Sequence, residues 1–229
     1  EKWKYTNVAA IAKTEFGRAS GRNEQVALDS LKQAAPWSDK WATVVFVDGV
    51  YSPELSNASL NGDVQVKSLA DLVRHDGALI EPHLASLAPT DDDGFTALNT
   101  AFVDDGALVH LADGARLEAP LHLLFFSTDR DQPYVTYPRV LLVAGSEASA
   151  TVIESYVGAG QNSYFTNSVA EFLVGEGARI DHYRLTDESD AAYHVGSVRV
   201  VQKDASSFRS RAFYRGVGLG RHDLQVTID

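Results

Sequence analysis

The sequence predicts a mainly β protein: a parallel β-helix over residues 106–229, preceded over residues 1–105 by a small α/β region that mixes helices with strands. Three observations carry this. "GARLEAPLHLL", starting at Gly114, returns 63 residues later as "GARIDHYRL", starting at Gly177. Related openings at Ala115, Ala148, Ala178 and Ala205 stand 33, 30 and 27 residues apart, the spacing of one solenoid coil that buries its inward side chains only by stacking on the next. After Gly106 no segment has the length and periodicity of an amphipathic helix, and short apolar runs recur between glycines. A β-sandwich is the competing architecture, but it needs hairpin turns roughly every 8–12 residues, and Asn-Gly and Asp-Gly pairs thin out after Gly114.

The first region is read element by element. "RNEQVALDSLKQAAP" (Arg22 to Pro36) places Val26, Ala27, Leu31 and Ala34 at helical spacing, and Pro36 ends the pattern. "WATVVFVDGVY" (Trp41 to Tyr51) is strand-forming on both sides of Asp48-Gly49, a turn pair that predicts a hairpin. In "VKSLADLVRHDGALI", Ser68 is a candidate N-cap for a short helix with Leu69, Leu72 and Val73 on one side. A last helix is expected from about Phe95 to Val103, closed by Asp105-Gly106. In the β-helix the small residue at each repeat lets the chain corner tightly beneath the neighbouring coil.

Composition narrows the function. The chain has 229 residues, 45% of them hydrophobic, enough for a substantial core. Twenty Lys and Arg against 31 Asp and Glu give a net charge of -11, which repels a phosphate backbone and argues against nucleic acid. No run approaches a membrane span and the opening "EKWKYTNVAA" lacks an export-signal layout, so no membrane partner and a cytoplasmic location are expected. There is no cysteine, which removes disulfides, thiolate ligands and a Cys nucleophile from this stretch. There is also no methionine, even at position 1, so the sequence is expected to be a piece of a longer polypeptide.

Reactive signatures are sparse. The chain carries no phosphate loop, no His-Glu-x-x-His and no Gly-x-Ser-x-Gly elbow. "GVGLGRH" (Gly216 to His222) has Arg221 where a dinucleotide fingerprint needs its third glycine. "DDDG" (Asp91 to Gly94) has Phe102 where a calcium loop needs its bidentate Glu, and reads as a solvated turn. Asn57-Ala58-Ser59 matches a glycosylation acceptor with nothing else to suggest secretion.

His110 and His122 are 12 residues apart, as are His182 and His194, about half a coil; each pair therefore belongs on opposite walls and forms no ready ligand set. Metal ligands are left unknown, and these histidines read as surface or hydrogen-bonded groups. Glu154 and Glu171 sit in strand-like runs, where a carbohydrate-active β-helix enzyme could place carboxylates, with Asp181 a further acid of this kind. The plainer expectation is that strand glutamates face water. No catalytic or cofactor-binding residue is assigned.

Several long blocks are specific enough for a resemblance. "EKWKYTN", "LNTAFVDDGALVHLADGARLEAPLHLLF", "PRVLLVAGSEASATVIESYVG", "TNSVAEFLVGEGARIDHYRL" and "RSRAFYRGVGLGRHDLQVTI" together resemble the SufB/SufD family of iron-sulfur cluster assembly proteins, the SufD branch most closely. The likeness runs through essentially the whole chain, and the absence of cysteine points the same way, since SufB is the member with a cluster-linked cysteine. The resemblance implies a right-handed parallel β-helix and a non-catalytic scaffold subunit of a SufBCD-type complex. The partners it implies are a SufB-like β-helix subunit and a SufC-like ATPase, with a homodimer as a further pairing; an iron-sulfur cluster belongs to the assembled complex. Family members continue past the position of Asp229 with more coils, a helical domain that docks SufC, and the histidine linked to cluster building. No cluster ligand is therefore carried onto any residue here.

Overall fold

The computed structural model describes residues 6–19, 26–60, 62–81, 83–91 and 93–229. Its frame is two facing parallel sheets joined into a β-helix. Sheet B runs, coil by coil, through β2 (Ala42–Val47), β6 (Leu121–Ser127), β9 (Ser149–Gly158), β11 (Arg179–Glu188) and β13 (Ser207–Gly216). Sheet A runs through β5 (Gly106–Leu111), the broken pair β7 (Tyr134–Thr136) and β8 (Arg139–Ala144), β10 (Tyr164–Val174), β12 (Tyr193–Gln202) and β14 (Leu219–Ile228). Each coil contributes one strand to each sheet, and the alternating residues that face inward form one core, because a parallel strand pair aligns like positions directly above each other.

Phe46, Phe125 and Tyr156 occupy one such column and stack with ring centroids 4.8 Å apart at both steps. Each stack adds about 1 kcal/mol beyond the area it buries.

The coils corner through four-residue turns. Gly114, Glu147, Gly177 and Ala205 take left-handed backbone at the third turn position, and the residue after each donates back to the carbonyl three positions earlier. The repeat is therefore as expected with one correction. Ala205 stacks on Gly177, not on Ala178; it is Ser206 that follows Ala115, Ala148 and Ala178, so the true steps are 33, 30 and 28 residues. The alanine motif slipped because the last turn spells its left-handed position with alanine instead of glycine or glutamate.

The first region caps and flanks this frame. β3 (Val50–Tyr51) turns back antiparallel on β2 through left-handed Asp48 and Gly49, the expected hairpin. β4 (Val64–Ser68) pairs antiparallel with β5 and closes the start of sheet A. Both strands extend sheets that continue beyond residue 106. The helix expected over 22–36 is α2 (Leu28–Ala34); residues 22–25 lie outside the described residues, and Ala27 is the N-cap. α2 lays Leu31 on the outer face of sheet B, against Val45, Val47, Leu124 and Phe126.

Ser68 caps α3 (Leu69–His75) by accepting from the Asp71 amide, as expected, and Leu69 and Leu72 are buried. Val73 is not on that side: it is 63% exposed, since one residue beyond Leu72 is a 100° turn away from the buried stripe. α4 (Gly94–Phe102) is present, but Asp105-Gly106 does not close it. Gly106 opens β5 instead, where an added Cβ would sit 1.9 Å from the Arg139 carbonyl. Asp93, read as part of a solvated turn, is buried and caps α4 by accepting from the Phe95 amide. Asn99 of α4 repairs the break between β7 and β8. Its amide donates to the carbonyls of Pro138 and Asn167, at 3.1 and 2.8 Å.

α1 (Ala9–Lys13) and the short β1 (Gly17–Arg18), which pairs with β7, complete the flank on sheet A. Among the described residues no helix is long and apolar enough to cross a membrane.

Candidate functional site

The inward columns change character along the rod. On sheet B, Val44 and Leu123 are followed by Glu154, Arg184 and Ala212 at the same position; Ala42, Leu121 and Val152 are followed by His182 and Ser210. From sheet A the facing column brings Thr166 and His194, and its neighbour brings Ser168, Gly196 and His222. An apolar core thus gives way to a buried polar cluster in the later coils.

Its centre is Arg184. The guanidinium donates to Glu154 Oε2 at 2.9 Å and Ser168 Oγ at 2.5 Å, and lies 4.3 Å from the centre of the Tyr156 ring. Gly196 makes the room: a Cβ there would stand 2.5 Å from Arg184 Nη2. Tyr156 donates its hydroxyl to the same Glu154 oxygen at 2.8 Å. His182 Nε2 lies 3.3 Å from Glu154 Oε1.

Burial alone would raise the Glu154 carboxyl, but His182, Arg184 and Tyr156 outweigh it and hold the group at about 2, so it stays a carboxylate. Burial lowers His194 despite the pull of Glu188. Neutral His194 then accepts from Arg184 at Nε2, 2.8 Å away, and donates from Nδ1 to Glu188 Oε2 at 2.6 Å. Thr166 donates to the other Glu188 oxygen at 2.7 Å, ending the chain of contacts.

Another buried carboxylate lies on the other side of sheet A. Glu171 accepts from the amides of Ala85, Leu87 and Ala88 and from the Arg139 guanidinium, whose nearest contact is 2.6 Å. It pins the 85–88 segment to the outer face of the sheet.

The sequence expectations for these residues divide. Glu154 and Glu171 do not face water; both are fully buried, because each has a matching arginine that makes burial tolerable. They do not form a pair either, one pointing into the β-helix from sheet B and the other out of sheet A. Asp181 lies on the outer face of sheet B, 3.5 Å from Arg211. Buried and arginine-bound, Glu154 is unsuited to meet a polysaccharide, so the carbohydrate-enzyme alternative is not favoured.

The two histidine pairs do straddle the walls. His110 is exposed on sheet A and His122 buried under Trp37 and Trp41 on sheet B, while His182 and His194 both point inward. Among the described residues no group of three or more His, Asp or Glu is arranged to hold a metal ion. In "GVGLGRH", Val217 and Gly218 make the corner between β13 and β14, and Leu219 to His222 begin β14. Arg184, Glu188 and Arg139 escaped the sequence reading. One signal was available: in "RIDHYRL", His182 and Arg184 share the alternating face of Ile180, the face that the strand buries.

Comparison with known proteins agrees with this architecture. Residues 1–123 match the SufBD protein N-terminal region, and residues 125–229 match the SufBD core domain of the SUF system for FeS cluster assembly. An iron-sulfur cluster assembly SufBD family protein of Synechocystis sp. is 30% identical over 99% of this chain and 51% of its own length. Iron-sulfur cluster assembly protein SufD of Escherichia coli is 24% identical over 100% of the chain and 51% of its own length. SufB of Bacillus subtilis is 23% identical over 68% of the chain and 34% of its own. The chain spans about half the length of the first two relatives. Two adjoining family matches together cover nearly the whole chain, and the chain accordingly belongs to the SufBD family of iron-sulfur cluster assembly proteins.

Proposed function

We propose that this chain is part of a non-catalytic scaffold subunit of a SufBCD-type complex, pairing through its β-helix with a SufB-like subunit and working with a SufC-like ATPase. Iron and sulfide are the cargo, combined on the assembly and passed on. The relatives named SufD and SufB support the reading.

The observation that carries it is the coil itself: two facing parallel sheets stack coil on coil around one continuous core, with flat outer walls. A rigid rod of this kind suits a subunit whose work is to hold others in place. The same reading locates the work in the cytoplasm.

The test is anaerobic co-purification of the full-length protein with its SufB-like and SufC-like candidates, with iron and sulfide measured in the product. A stable complex containing both partners is expected. A full-length protein that stays monomeric beside the SufB-like subunit and recovers no ATPase overturns the proposal.

A further inference from the structure

On the outer face of sheet A, β4, β5 and β8 set Gln65, His110 and Val143 in one row, with Lys67 and Leu108 two residues along the same face. Above them the segment after 77–79 packs Ile80 and Leu84 against Leu108 and Leu141, and its turn brings His83 over the sheet. Gln65, Lys67, His83 and His110, with Leu108 and Val143 as an apolar floor, line a hollow of about 330 Å³.

Its polar lining is one-sided. An ammonium, a carboxamide NH₂ and two imidazoles can each offer an N–H donor, and among the described residues no carboxylate lines the hollow. In a chain of net charge -11, a solvated face would be expected to include acids. Asp71 and Asp76 lie in the adjoining cleft that Lys67 also borders, yet among the described residues Lys67 forms no ion pair, Asp71 being paired with Arg74. The side chains of Gln65, His83 and His110 likewise make no hydrogen bond among the described residues. Four side chains able to donate thus line one hollow, and none of them has an acceptor among the described residues.

We propose that this hollow is a binding site for a small carboxylate anion with a short apolar portion. The carboxylate sits against Lys67 and the imidazoles of His83 and His110, with Gln65 as a further donor, and the apolar portion rests on Leu108 and Val143. This site is distinct from the buried arginine cluster and does not depend on the scaffold role.

The test uses the full-length protein and sodium butyrate as the probe, with protection of histidines from diethyl pyrocarbonate read by peptide mass spectrometry. Butyrate is expected to slow modification of His83 and His110 several-fold relative to equal sodium chloride, while His75 in the adjoining cleft is unchanged. Lys67→Gln is expected to raise the half-protecting concentration about tenfold, the loss of one charge-assisted contact. Gln65→Glu, which adds a carboxylate, is expected to abolish protection. Gln65 and Lys67 are both on the surface, so these variants leave the core intact. Equal protection by chloride, or protection indifferent to both substitutions, overturns the site. Inorganic phosphate protecting as well as butyrate overturns the assignment to carboxylates with an apolar portion.

Discussion

Arg184 Nη1 stands 2.9 Å from Glu154 Oε2 on the next coil of sheet B, both side chains wholly inside the β-helix. Neither charge has water to fall back on, so each depends on the other. Glu154→Gln keeps the shape and removes the charge, and it is expected to cost about 3 kcal/mol in urea unfolding because the guanidinium is left unbalanced. The double variant Glu154→Leu with Arg184→Met, which removes both charges, is expected to recover most of that loss. A single variant that unfolds at the parent midpoint would show that the pair is not coupled.

Acid sensitivity follows from the same burial. Burial lowers His122 from its ordinary 6.5 to about 4, and His222 likewise to about 4. The unfolded chain therefore binds protons first as pH falls, so this stability is complete above about 6.5 and drains away between 6.5 and 4. The depressed Glu154 acts in the next window down, its contribution present above about 4.5 and lost toward 2. His122→Phe is expected to flatten part of the stability slope between pH 6.5 and 4, followed by the fluorescence of Trp37 and Trp41. An unchanged slope would refute the assignment of His122.

Two glycines with opposite surroundings make a paired test. Gly196→Ala drives a methyl to within 2.5 Å of Arg184 Nη2 and 3.1 Å of Ser168 Oγ, and should cost about 2 kcal/mol. Gly94 opens α4 with nothing within 4 Å of an added Cβ, so Gly94→Ala should gain roughly 0.5 kcal/mol. Thermal melts of the two variants should move in opposite directions; a shared direction contradicts the packing described.

Glu171→Gln tests the strap. The carboxylate receives three backbone amides from the 85–88 segment, and the neutral amide offers a weaker acceptor and a misplaced NH₂. Hydrogen exchange at Ala85, Leu87 and Ala88 is expected to quicken by about tenfold or more, equivalent to roughly 1.4 kcal/mol of lost protection. The amides of β9, on the opposite sheet, serve as the unchanged reference.

Much of the fold could be read from local chemistry. Asp48-Gly49 between two apolar runs can only turn back on itself, Ser68 ahead of Leu69 is a cap wherever it lies, and a turn that recurs near every thirty residues marks stacked coils. Elsewhere a neighbour in space decides the matter. Ala205 matches Ala178 by letter, whereas the ladder of β11 on β13 sets it over Gly177. Val73 adjoins Leu72 in sequence, whereas the helix rotates it into solvent.

The sequence by itself determined the coil, because repeating turns and alternating strands need only short-range sterics and a common inward face. It determined membership of the SufBD family as well, through long blocks kept in order. Only the tertiary structure decided which charged residues go inside. A glutamate in a strand looks the same whether it meets water or an arginine, and Glu154 meets Arg184 thirty positions away, while His194 reaches Arg184 from the facing sheet. The cost of burying a charge is settled by partners in space, and closing the coil is what brings those partners together.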